Sequence, residues 1–268
     1  MPWPLHELRL YGHRGSSTRL PENTLAAFRQ ALDDGATALE LDLHRTADGH
    51  LVVAHDPDGL RMAGVSGRIR DLPLRELERW NVAAGFRDGG GSRQPIPTLD
   101  EVLESFPGVP LSVDLKPDDP RAVPELLELT DRHGAAQRVT VGSFHGRLVK
   151  LARRLSYPGP TALTRWEVAA LRLLPQLVAR RLVAGQAAMI PRRGMRLRLD
   201  GRRFIGRCRA LGLRVDYWVV NDPGNARELL DRGATGIISD DPARIAGVFA
   251  EWRSGTGTGT GTDGGSVS

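Results

Sequence analysis

Short β-type apolar runs alternate along the chain with longer stretches in which apolar residues recur every three or four positions, the pattern of parallel strands joined by crossover helices. The runs at 8–12, 38–43, 111–115, 139–143, 160–163, 187–190, 215–220 and 236–239 read as strands. Eight is the number that a (β/α)8 barrel requires. A further run at 51–54 follows Ala47-Asp48-Gly49-His50, which reads as a hairpin turn after the second strand. Helical periodicity occupies 24–33, 99–105, 121–133, 147–155, 167–184, 201–211, 223–232 and 242–253, with Asn23 or Thr24 capping the first.

A chain of 268 residues with 40% hydrophobic and 26% charged positions buries a sizeable core without a staple. The single cysteine, Cys208, forms neither an internal disulfide nor a cysteine metal cluster. Residues 254–268 read SGTGTGTGTDGGSVS, with almost nothing to bury, and are expected to be a flexible tail. Gly89 to Gly91 is too short a run to separate domains, so one domain over 1–253 is the expected division. No apolar run is long enough for a signal-peptide core or a membrane span, and a cytoplasmic protein is expected. The formal charge is +5, but residues 192–209 hold eight arginines against one acid, Asp200, and the remainder is slightly acidic. Lys116 and Lys150 are the only lysines, a bias that reads as codon usage more than as function.

In a barrel the chemistry lies where the strands end at their C-terminal side. Here those positions are polar: His13-Arg14-Gly15 after the first strand, Glu40-Leu41-Asp42-Leu43-His44 in the second, Asp114-Leu115-Lys116 in the third, and His55-Asp56 after the hairpin run. Residues i and i+2 share a strand face, so Glu40 projects with Asp42, and Asp114 with Lys116. Three converging carboxylates repel unless a cation separates them, and an all-oxygen donor set suits Ca²⁺ or Mg²⁺ more than zinc. His13 and His55 are placed to act as general acid and base, and Arg14 and Lys116 add fixed positive charge for an anionic phosphoryl substrate. Taken singly, each group has an ordinary structural role: a strand carboxylate pairs with an arginine, a histidine hydrogen-bonds, Asn23 caps a helix, Trp218 packs in the core. Their joint placement at strand ends argues for a site.

These blocks, with Glu22-Asn23-Thr24 between them, resemble the ordered signature of the glycerophosphodiester phosphodiesterases. Ser143-Phe144, Trp218-Val219-Val220-Asn221 and the block from Gly236 through Ser239-Asp240-Asp241 to Pro242 extend the resemblance over residues 9–246. It implies a TIM (β/α)8 barrel with a small insertion, about 44–110, between the second and third barrel strands. It also implies hydrolysis of glycerophosphodiesters to sn-glycerol 3-phosphate and an alcohol with one divalent cation, Ca²⁺ or Mg²⁺. Carried onto this chain, Glu40, Asp42 and Asp114 would hold the metal and His13 and His55 would form the acid/base pair. Arg14 and Lys116 would bind phosphate, Glu22 would belong to the polar shell, and Phe144 and Trp218 would line the wall. The family's mechanism uses the substrate's 2-hydroxyl as first nucleophile. Many members have Glu where this chain has Asp114, so the carboxylate here has one methylene less reach.

Two alternatives remain at the level of sequence. One is a phospholipase D-like activity on lysophospholipids or phospholipids, with residues 166–183 touching a membrane surface; an ordinary barrel helix with a solvated basic face is the preferred reading of that segment. The other is nucleic-acid binding through residues 192–209, supported only by charge, and no nucleic-acid partner is expected.

Overall fold

The computed structural model describes residues 7–86, 92–194 and 197–254. Its strands are β1 (Arg9–His13), β2 (Ala38–Arg45), β3 (Leu51–Val53), β4 (Leu111–Leu115), β5 (Val139–Gly142), β6 (Ala187–Ile190), β7 (Arg193–Gly194), β8 (Leu197–Arg198), β9 (Arg214–Tyr217) and β10 (Gly236–Ser239). The α-helices are α1 (Leu25–Asp33), α2 (Leu60–Ala63), α3 (Leu74–Leu77), α4 (Leu99–Ser105), α5 (Ala122–Arg132), α6 (Gly146–Arg154), α7 (Arg165–Leu173), α8 (Gln176–Leu182), α9 (Arg202–Arg209), α10 (Pro223–Asp231) and α11 (Pro242–Arg253).

The strands pair in the order β5-β4-β2-β1-β10-β9-β6, all parallel. Residues 160–163, expected as a strand, join β5 to β6 only through the single parallel bridges Val141 to Thr161 and Ala162 to Ala187, so the barrel-like sheet is nearly closed. Side chains take the backbone groups that a full ladder would use. Gln186 Oε1 accepts from Thr161 N at 2.9 Å, and Arg153 Nη2 donates to Ala162 O at 2.9 Å.

Strand alternation sorts the residues into two environments. Leu39, Leu41 and Leu43 of β2, Leu111, Val113 and Leu115 of β4, and Val139 and Val141 of β5 face outward into the main core, where Phe28, Val102, Val123, Leu126 and Leu148 of the helices cover them. The inward set of β2 is Ala38, Glu40, Asp42 and His44, all buried. Below the site, Tyr11, Ala38 and Ile238 form a small apolar layer with Met189 and Trp218 against it. At the base, Tyr11 Oη donates to Asp216 Oδ2 at 3.0 Å, and the fully buried Arg214 pairs with Asp216 at 3.1 Å.

Between β2 and β4 the chain builds a second, smaller hydrophobic cluster from Val52, Ala54, Met62, Ile69, Leu77, Trp80, Val82 and Ile96. β3 pairs antiparallel with the end of β2, as the hairpin reading expects. The helix expected over 167–184 is two helices, α7 and α8. Pro175 ends the first by forcing Leu174 into extended backbone, ψ 159°. Residues 255–268 of the expected tail and residues 87–91 around the glycine run lie outside the described residues.

Candidate active site

Register alone brings the chosen strand-end residues together. His13 of β1 lies opposite Glu40 of β2, and Asp42 lies opposite Asp114 of β4. After His13 the backbone reverses through Arg14 and Gly15, both in the left-handed region at φ 56° and 88°. A Cβ on Gly15 would meet the Ala27 carbonyl carbon at 2.5 Å, so the turn requires glycine. The turn is tied down by Arg14 N donating to Glu40 O and by Asn23 N donating to Arg14 O, both at 2.9 Å. It returns the Arg14 side chain over the strand ends, where Nε lies 3.0 Å from Asp42 Oδ2 and Nη1 donates to Glu22 Oε1 at 3.2 Å.

His13 Nδ1 donates to Asp240 Oδ1 at 2.6 Å, which leaves Nε2 toward the cleft, 3.8 Å from Glu40 Oε2. Asp240 is itself fixed by Asn221 Nδ2 at 2.7 Å and by Ser17 Oγ at 3.3 Å. Burial disfavours a charged imidazole at His13, but Glu40 and the bond to Asp240 outweigh it and hold its pKa above the ordinary value. Burial and then Asp42 push the Glu40 carboxyl up to about 7, with His13 pulling the other way. Asp42 is buried too, yet it stays below the usual carboxylate range because Lys116 and Arg14 flank it and Asn23 Nδ2 donates to it at 3.0 Å. Lys116 Nζ bridges Asp42 Oδ1 at 2.8 Å and Asp114 Oδ2 at 2.7 Å.

His55 enters from the other side, just after β3. Its Nδ1 donates to Asp56 Oδ1 at 2.7 Å, Arg61 of α2 binds Asp56 Oδ2 at 2.5 Å, and Arg61 reaches on to Glu22 Oε1 at 2.7 Å. The small cluster between β2 and β4 thereby locks to the barrel end through charge. His13, Arg14, Glu40, His55, Asp114, Lys116, Phe144 and Trp218 all line one cleft of about 430 Å³. Phe144 and Trp218 pack edge to face at 5.9 Å, and Lys116 Nζ sits 5.8 Å from the Phe144 ring centre. Asp42 does not line that cleft, being fully buried behind Arg14 and Lys116, and Glu22 joins it only through Arg14 and Arg61.

Among the described residues no three His, Cys, Asp or Glu side chains form a ready-made metal-holding group. The donor chemistry nonetheless fits a hard cation. Glu40 is driven toward protonation by burial and then by the neighbouring carboxylates, and the Lys116 ammonium bridges Asp42 and Asp114, whose charges a cation would neutralise.

Sequence reasoning assigned no role to Asp240, Asn221, Asp56 or Arg61, although all but Arg61 stand inside the quoted blocks. The readable signal was position: Asp240 directly follows β10, and Asp56 follows His55. Asn23 caps nothing. Thr24 caps α1 by accepting from Ala27 N at 3.1 Å, while Asn23, at φ 59°, bonds Asp42.

The model of the glycerophosphoryl diester phosphodiesterase family matches residues 13–244. The chain belongs to this family. The probable glycerophosphodiester phosphodiesterase 2 of Mycobacterium tuberculosis is 32% identical over 241 residues, covering 85% of each chain. Human lysophospholipase D GDPD1 is 28% identical over 265 residues, covering 87% of this chain and 83% of that one. The fold is that of an Oleispira antarctica phosphodiesterase solved with its product sn-glycerol-3-phosphate, with a TM-score of 0.75 at 23% identity over 90% of this chain and 96% of that one. The family's hydrolytic chemistry is therefore that of this chain, and no described helix is long and apolar enough to cross a membrane.

Proposed function

We propose that this chain hydrolyses glycerophosphodiesters to sn-glycerol 3-phosphate and an alcohol, with His13 and His55 as the proton-transfer pair. The observation that carries this is their matched arrangement: two imidazoles on one cleft, each with Nδ1 bonded to a carboxylate, Asp240 or Asp56, and Nε2 left for proton transfer. Arg14 and Lys116 line the same cleft and would serve as donors for the phosphate oxygens. Glu40, Asp42 and Asp114 would hold Ca²⁺ or Mg²⁺, which when bound supplies charge neutralisation at the phosphoryl group. The catalytic unit spans 1–253, with residues 44–110 as an insertion between the second and third barrel strands and 254–268 as a tail.

In the proposed reaction one imidazole takes the proton of the substrate's 2-hydroxyl as its oxygen attacks phosphorus. The other imidazole protonates the departing alcohol, and water then opens the cyclic phosphate. A 2-O-methyl glycerophosphocholine should not turn over, whereas the unmodified diester should; equal hydrolysis of both would exclude this route.

A second reading rests on the rest of the cleft wall, where Leu163, Val168, Ile190, Leu199, Trp218 and Val219 offer apolar surface that an acyl chain on the glycerol half could cover. That wall favours a lysophospholipid, whose leaving group is choline and whose glycerol carries an acyl chain. Parallel turnover of glycerophosphocholine and lysophosphatidylcholine, read as kcat/KM, separates the two.

A further inference from the structure

The segment read from sequence as an ordinary barrel helix leaves its apolar residues outside. Trp166, Leu173, Leu177, Val178 and Leu182 are between 46% and 81% exposed, half of all the exposed large hydrophobic side chains among the described residues. Trp166 and Leu173 are seven apart and share a face of α7, and Leu177, Val178 and Leu182 are exposed on α8, Leu177 on the side away from the buried Ala179 and the other two flanking it. A clustered apolar surface of this kind marks a binding face more often than chance exposure.

Its charge is one-sided. Residues 165–182 carry four arginines, Arg165, Arg172, Arg180 and Arg181, all exposed, and none pairs with a carboxylate among the described residues. The segment's one acid, Glu167, is buried and consumed by Arg153. Beside the end of α7 a second cleft of about 560 Å³ opens against α9, with Arg172, Arg198, Arg203 and Arg207 around an apolar floor that includes Leu171 and Phe204. Arg203 has no hydrogen-bond or ion-pair partner among the described residues. At the other end of α7, Arg165 and Val168 line the active-site cleft.

We infer that α7, α8 and the arginine cleft beside α9 form a docking face for an anionic phospholipid bilayer. Leu173, Leu177, Val178 and Leu182 enter the interface, Trp166 anchors the end nearest the active site, and the arginines engage lipid phosphates. Interleaved leucine, tryptophan and arginine is the composition of an interfacial amphipathic surface. A face for single-stranded nucleic acid would instead offer a row of aromatics for stacking, where this one sets Trp166 among mostly aliphatic exposed side chains.

The test is co-sedimentation of the full chain with vesicles of phosphatidylcholine alone or mixed equally with phosphatidylglycerol, at low and at 0.5 M salt. Binding is expected to the mixed vesicles only, to weaken with salt, and to fall at least tenfold in Leu173→Asp/Leu177→Asp and in Arg180→Gln/Arg181→Gln/Arg203→Gln, each with an unchanged thermal melt. The arginine variant keeps the core intact and guards against loss of fold in the leucine pair. Equal binding by wild type and both variants, absence of binding to the mixed vesicles, or binding of an oligothymidylate without binding of vesicles would each overturn the proposal.

Discussion

Asp240 shows how much a single side chain sets at this site. It accepts from His13 Nδ1 and is held by Asn221, so the imidazole presents Nε2 to the cleft. Replacing it by Asn offers an amide that can donate to Nδ1 and so favours the opposite tautomer. Asp240→Asn is therefore expected to lower kcat on glycerophosphocholine by about 10² or more, with KM little changed. An unchanged kcat would show that His13 does not depend on this bond. The candidate residues at this scale were readable because period-two alternation and strand ends fix which side chains can meet. Their partners were not, since Asp240 lies 227 residues from His13 and only barrel closure brings them together. Asn23 departs from the expected cap for a similar reason: its short amide suits a cap, but the left-handed turn beside Arg14 sends it to Asp42 instead.

Among the elements, β4, β6 and β10 and helices α4 and α11 run over the intervals that their apolar periodicity marks. Residues 160–163 and the helix over 167–184 depart from the reading because side chains and one proline override periodicity. Glu167 is central to that region. It closes the capping box with Thr164, pairs with Arg153 at 2.9 Å and accepts from Ala184 N at 2.8 Å. Burial opposes its charge, but the backbone N–H donors and Arg153 more than offset this and hold its carboxyl below the ordinary glutamate value. A depressed folded pKa stabilises above the unfolded-state pKa, and that stability is lost as pH falls through the folded value. Glu167→Gln should therefore cost about 2 kcal/mol at neutral pH, with the gap to wild type closing as pH drops below about 4. Urea unfolding of both proteins from pH 7 to pH 3 checks this; a gap independent of pH would assign the loss to shape instead of charge.

For the whole molecule, the barrel carries polar groups at both ends of its interior, and they do different work. At the base, Arg214, Asp216 and Tyr11 satisfy one another, with Thr235 Oγ1 donating to Asp216 at 2.7 Å. Burial and Asp216 raise the Tyr11 phenol to about 12, so it remains a donor across the working range. Arg214→Met strands a buried carboxylate, and a loss of about 3 to 5 kcal/mol is expected in chemical denaturation; a loss below about 1 kcal/mol would mean that water replaces the guanidinium there. At the other end, the carboxylates and cations stay near the cleft, and the small cluster between β2 and β4 closes over them through Arg61. Cleavage of a glycerophosphodiester at this end, with a divalent cation and His13, is the expected activity. Its most direct test is release of glycerol 3-phosphate from glycerophosphocholine by chelator-treated protein, with Ca²⁺ or Mg²⁺ restored, beside His13→Ala. Release that depends on the ion and falls about 10²- to 10⁴-fold in the variant is predicted. No release from folded protein with either ion, or equal turnover by His13→Ala, would contradict it.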